Sequence, residues 1–180
     1  MNISALFSTD QRVRILRETV YKTEPLNVSK TAKKLGLSKG LVSKYLKILL
    51  EEGVLQQKNG DYTVDDSVTT KAIRILLNLS AFHNGFFSDR PYIKGAGLYG
   101  STTKGTNIEG SDVDLWILTE EVSQDTLAKL TSDMRRAFGD IRPLYLTVEK
   151  LEQLRRTEAT FYHSLVFGSL TLHGDDIETL

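Results

Sequence analysis

The chain has 180 residues, 40% of them apolar and 26% charged, enough for one ordinary domain or two small ones and outside the range of disordered or fibrous polymers. It has no cysteine, which excludes disulfides, thiolate metal sites and thiol nucleophiles. The formal net charge is zero but unevenly spread. Residues 1–65 carry 11 Lys+Arg against 7 Asp+Glu, a net of +4, and residues 66–180 carry 12 against 16, a net of −4. That asymmetry suggests two modules with different partners.

The first residues lack a basic start followed by an apolar core, so no secretory leader is expected. The longest mostly apolar stretch, 72–87, is short and contains Arg74, Asn78 and His83, so no membrane span and a cytoplasmic protein are expected. Residues 10–22 place Val13, Leu16 and Val20 at helical spacing, with Ser8, Thr9 or Asp10 as the cap and Pro25 closing the helix. A second helix opens at Asn27 or Ser29, passes through Val28, Thr31, Ala32 and Leu35, and stops at Gly36, a left-handed C-cap. A third, over 39–52, buries Leu41, Val42, Tyr45, Leu46, Leu49 and Leu50 and ends at Gly53. Residues 54–58 and 62–64 then read as two strands around Asn59-Gly60, a tight-hairpin signal.

Three helices followed by a hairpin resemble the winged helix-turn-helix domain of transcription regulators, over about residues 8–65. The resemblance implies that the 39–52 helix enters the DNA major groove and that the hairpin touches the backbone. Lys39, Ser43, Lys44 and Lys47 on that helix, with Lys58 on the hairpin, are the expected DNA contacts, and Lys30, Lys33 and Lys34 extend the basic surface. The alternative use of such a module is dimerisation or protein docking. Residues 67–83 predict a connecting helix with Ala72, Ile75, Leu76 and Leu79 on one stripe. It either bridges the modules or pairs with a second copy, which would make a homodimer. Asn84-Gly85 ends it, and 88–95 reads as a loop.

Beyond it, an apolar strand over 96–99 runs into Gly100-Ser101. A second strand over 112–118 carries Asp112 and Asp114, two residues apart and therefore on one face. Parallel carboxylates suit a divalent cation, and a Gly-Ser turn opening a helix suits phosphate. An amphipathic helix follows, with Leu127, Leu130, Met134 and Phe138 inward. A turn at Gly139-Asp140, a strand over 141–148, a helix over 149–156 and a helix over 160–167 come next, the last leading into 170–173. Strands alternating with helices predict a small α/β layer. His83, His163 and His173 have no ligand spacing, and Tyr99 and Trp116 read as core.

Gly100, Ser101, Lys104-Gly105 and Ser111-Asp112-Val113-Asp114 resemble the motif of nucleotidyltransferases of the DNA polymerase β superfamily, especially their minimal members. Gly168, Leu172 and Gly174 match the closing segment, so the resemblance spans about 84–180. It implies an α+β chain: a winged helix-turn-helix over 1–66, a connecting helix over 67–83, and a small mixed-sheet α/β nucleotidyltransferase-like domain over 84–180. Gly100, Ser101, Lys104 and Ser111 would bind the phosphates of an NTP, with ATP the expected donor. Asp112 and Asp114 would be catalytic and would hold Mg2+ or Mn2+. The family's usual third acid, on the next strand, has no counterpart here. Leu144 stands at about its place, and Glu149 lies just past the strand. The expected function is DNA-targeted nucleotidyl transfer to an unknown acceptor, which includes a protein or toxin. The alternative is a regulator whose nucleotidyltransferase fold senses nucleotide or binds a protein, as an antitoxin does.

Overall fold

In the computed structural model, which describes residues 2–82 and 85–179, contacts gather into two units: Met1–Leu77 with Gly105–Gly110, and Asn78–Lys104 with Ser111–Leu180. His83 and Asn84, expected at the end of the connecting helix, lie outside the described residues.

The helices of the first unit begin and end where side chains satisfy their free backbone groups. These are α1 (Ile3–Phe7), α2 (Asp10–Thr19), α3 (Val28–Leu35) and α4 (Lys39–Glu51). Thr9, Asn27 and Ser38 cap α2, α3 and α4, accepting from the amides of Arg12, Lys30 and Leu41 at 3.2, 2.9 and 3.2 Å. Gly36, at φ 65°, closes α3: its amide donates to Lys33 and the Leu37 amide to Ala32. Gly53 repeats this arrangement after α4, with Val54 donating to Leu49. The sequence did not suggest α1, whose Leu6 is buried and accepts a hydrogen bond from the Tyr45 hydroxyl at 2.7 Å.

Strands β1 (Leu55–Lys58) and β2 (Asp61–Val64) pair antiparallel. Asn59 and Gly60 both take positive φ, which gives the turn the twist a two-residue hairpin needs. Helix α5 (Val68–Leu79) departs from the expected stripe. Leu76 is 52% exposed, whereas Thr70, Ile73, Arg74, Leu77 and Asn78 are buried. The polar members are satisfied: Arg74 Nε donates to the Val20 carbonyl at 2.9 Å, and its Nη1 donates to the Gly105 carbonyl at 3.2 Å. The 105–110 segment is further held within this unit. The Glu109 amide donates to the Tyr21 carbonyl at 2.8 Å, and the Glu109 carboxylate pairs with Lys22.

The second unit contains α6 (Gly85–Ser88), β3 (Ile93–Leu98), α7 (Ser101–Lys104), β4 (Val113–Thr119), α8 (Gln124–Phe138), β5 (Ile141–Leu146), α9 (Val148–Thr157), α10 (Ala159–Gly168) and β6 (Leu170–Gly174). Its sheet runs β5-β4-β3-β6, with β4 and β5 parallel and the other pairs antiparallel. Alternation along β4 divides the core. Leu115 and Ile117 pack with Leu130 and Met134 of α8, while Trp116 and Leu118 pack with Leu151, Leu165 and Val166 of α9 and α10. Strand β3 begins three residues earlier than expected, taking Ile93-Lys94-Gly95 out of the predicted loop. Its glycines are strand residues because Trp116 lies across them: a Cβ on Gly97 would sit 2.6 Å from the indole ring.

Candidate active site

The second unit brings the Gly100 turn and Asp114 together through strand pairing. Strand β3 ends at Leu98, and the Tyr99 amide donates to the Asp114 carbonyl at 3.1 Å. Gly100 turns the chain at φ 71°, a left-handed conformation that favours glycine. A Cβ at Gly100 would lie 2.5 Å from Asp114 Oδ2, so the carboxylate occupies the space a side chain would need. Ser101 then opens the single turn of α7. The turn is held from behind: Thr103 donates to the carbonyls of Gly100 and Gly168 at 3.1 and 2.7 Å, and Asn78 donates to the Thr102 carbonyl at 2.8 Å.

Asp112 is exposed and stands one residue ahead of β4, not inside the strand as expected. Asp114 is half-buried. Burial raises the Asp114 carboxyl above its ordinary value, the Arg142 guanidinium opposes that rise, and Asp112 adds to it. Among the described residues neither carboxylate has a hydrogen-bond or ion-pair partner, and no group of three His, Asp or Glu is placed to hold a metal. Two acids thus fit one divalent cation that completes its shell with phosphate oxygens and water. Lys104 is exposed at the end of α7, and Ser111 directly precedes Asp112.

The strand register revises the neighbourhood of the pair. Asp114 stands beside Arg142 on β5, and Leu144 stands beside Trp116. Leu144 is therefore two pairs further along, and the side chain flanking Asp114 is a cation. Glu149 lies in the first turn of α9, past the opposite end of β5. Four residues of strand separate Arg142 from Leu146, roughly 13 Å, which removes Glu149 from the site. Trp116 is fully buried, as the sequence reading expected, and its indole N–H has no partner among the described residues.

In the first unit Lys39, Lys44 and Lys47 are exposed along α4, Ser43 is half-buried between them, and Lys58 is exposed at the end of β1. None of these four lysines has an ion-pair partner among the described residues, whereas Lys34 is spent on Glu18 at 2.8 Å. Arg74 was the residue the sequence reading missed. Its signal was a lone arginine inside an otherwise apolar helical run.

The comparisons with known proteins follow the same division. Residues 84–164 match the family described as polymerase beta, nucleotidyltransferase, and residues 9–57 match the bacterial regulatory protein, arsR family. The fold is similar to a chain in a crystal structure of a toxin–antitoxin with AMP-PNP, at 20% identity and TM-score 0.37, covering 63% of this chain and 80% of that one. It is also similar to a chain of the tri-AMPylated Shewanella oneidensis HEPN toxin in complex with MNT antitoxin, at 13% identity and TM-score 0.33, covering 61% and 76%. No curated protein matches. Among the described residues no helix is long and apolar enough to cross a membrane. The chain thus joins an N-terminal stretch that matches the helix-turn-helix of the bacterial arsR regulatory family to a C-terminal stretch that matches the polymerase beta nucleotidyltransferase family.

Proposed function

We propose that the second unit transfers a nucleotidyl group from an NTP, with ATP the expected donor, to an acceptor hydroxyl, and that the first unit directs it to DNA. The observation that carries this reading is the pair of unpartnered carboxylates, one of them half-buried against the Gly100 turn. Asp112 and Asp114 would hold Mg2+ or Mn2+. Bound there, the ion neutralises phosphate charge and stabilises the leaving pyrophosphate. Gly100 lets the backbone approach the triphosphate, while Ser101, Lys104 and Ser111 line its approach. The acceptor oxygen attacks the α-phosphorus, the bond from that phosphorus to the α–β bridging oxygen breaks, and pyrophosphate leaves. The acceptor proton passes to water or to a base on the acceptor side, since among the described residues no third carboxylate joins the pair.

The test is labelled NTP with Mg2+, DNA ends and co-purified proteins as acceptors, read by labelling and by intact mass. Product should form with the native chain and vanish in Asp112→Ala and Asp114→Ala; equal labelling in those variants would overturn the assignment.

A second reading has its own observation, the Arg142 guanidinium beside Asp114. It is a DNA-binding regulator whose nucleotidyltransferase fold binds nucleotide, or a partner protein as an antitoxin does, without turnover. Nucleotide binding without labelled product in the same assay distinguishes it.

A further inference from the structure

Arg142 has no role in the sequence reading, yet the register sets it in the pair with Asp114. Residues paired in adjacent parallel strands point to the same side of the sheet, with their backbones about 4.8 Å apart. The guanidinium therefore shares a face with the carboxylate and has the reach to pass it. The next residue, Pro143, holds Arg142 in extended backbone and is tolerated because β5 is the sheet edge.

The head group is also free. Arg142 is exposed, and no hydrogen bond or ion pair engages it among the described residues. Several other arginines of the chain are committed: Arg14 to the Leu35 carbonyl, Arg74 to Val20 and Gly105, and Arg90 to Asp133 and the Phe86 ring. A guanidinium and two carboxylates that influence one another through space, with no hydrogen bond or close ion pair among the described residues, suit a ligand that carries both signs. A triphosphate with one divalent cation is such a ligand.

The protein's own ligands limit the metal count. Asp112, Asp114 and Arg142 sum to one negative charge, so the protein side of the site offers little attraction to a second divalent ion. Among the described residues a second ion would find no further carboxylate grouped with the pair, and it would face the guanidinium at close range. Arginine in turn matches phosphate oxygens with its planar fork of donors.

We infer that Arg142 is a fixed cation of the nucleotide site, gripping the triphosphate from the β5 side, so that the site works with one divalent ion and retains part of its nucleotide affinity without any. This rests on the nucleotide-site reading above and deepens it.

The test is titration of the full chain with AMP-PNP in Mg2+ and in EDTA, together with counting of bound Mn2+ by electron paramagnetic resonance in the presence of AMP-PNP. The native chain should bind in both conditions and hold one Mn2+. Arg142→Ala should lose on the order of 10-fold in affinity in EDTA, the contribution of one charge-assisted phosphate contact. Arg142→Lys should recover part of it. Arg142→Asp should abolish metal-free binding and raise the Mn2+ count to two. An Arg142→Ala chain that binds as tightly as native in EDTA would overturn the inference while leaving the nucleotide site intact, as would two Mn2+ on the native chain. A native chain that binds AMP-PNP in neither condition would overturn the nucleotide site itself. Because the side chain is exposed and makes no hydrogen bond or close ion pair among the described residues, thermal midpoints of the native, Ala and Lys chains should agree, so loss of binding in these cannot be mistaken for loss of fold.

Discussion

Replacing Gly100 by alanine separates the strain of a turn from the geometry of a site. The φ of 71° costs an L-residue about 1–2 kcal/mol, which lowers the thermal midpoint of a domain of this size by several degrees, at about 4–8 °C per kcal/mol. The new Cβ would also begin 2.5 Å from Asp114 Oδ2. The carboxylate is the free end of a side chain and moves away cheaply, by about 0.5–0.9 Å, but a misplacement near 1 Å at a reacting group costs on the order of 100-fold. Gly36 supplies the control. Its φ of 65° carries the same strain, and a Cβ there meets nothing within 4 Å. Thermal melts and AMP-PNP titration in Mg2+ should show Gly36→Ala and Gly100→Ala losing similar stability. Only Gly100→Ala should lose nucleotide binding, by about 10-fold, the worth of one charge-assisted contact. If Gly100→Ala binds as Gly36→Ala does, the approach of Asp114 to the turn is packing and the reasoning fails.

Arg74→Met keeps most of the buried volume but strands the carbonyls of Val20 and Gly105, which lose their 2.9 and 3.2 Å donors. The expected cost is about 2–4 kcal/mol, read as a urea midpoint about 1–2 M lower by helical circular dichroism; an unchanged midpoint would show that water replaces the guanidinium. Lys44→Ala and Lys47→Ala should each weaken DNA binding similarly at all sequences and reduce the slope of log affinity against log salt by about 1, measured by fluorescence anisotropy. Unchanged slopes would remove α4 from the phosphate contacts.

Most of the first unit was legible because its boundaries are written in single residues: Thr9, Asn27 and Ser38 as caps, Gly36 and Gly53 as stops, and Asn59-Gly60 as the hairpin turn. Helix α1 was not, since five residues are too few for a periodic signal. The α5 stripe was misread because the expectation counted only apolar residues. Arg74 and Asn78 occupy buried positions by donating to backbone carbonyls, a pairing set by distant segments. In the second unit, Gly95 made the start of β3 look like loop, though a Cβ there would meet the Asp175 carbonyl at 2.5 Å and the Trp116 ring at 3.2 Å. The Gly100 turn and the Asp pair were readable from local spacing. The identity of the neighbour was not. Alternation says which face a β5 residue takes, but the register against β4 depends on how α8 packs, and that register sets Arg142 rather than Leu144 beside Asp114.

The six residues Gly105–Gly110 interrupt the second unit's sequence and are counted with the first. Lys22, the Tyr21 carbonyl and Arg74 all find partners on them. No single cut in the chain therefore yields two complete pieces. A fragment ending at Leu77 leaves Lys22 only Glu18, at 3.6 Å, and lacks Glu109, which the remainder carries without its base. Exchange of the regulatory head between proteins of this build would have to carry two stretches of sequence at once, and the loop between the glycine turn and the aspartates would have to travel with the head.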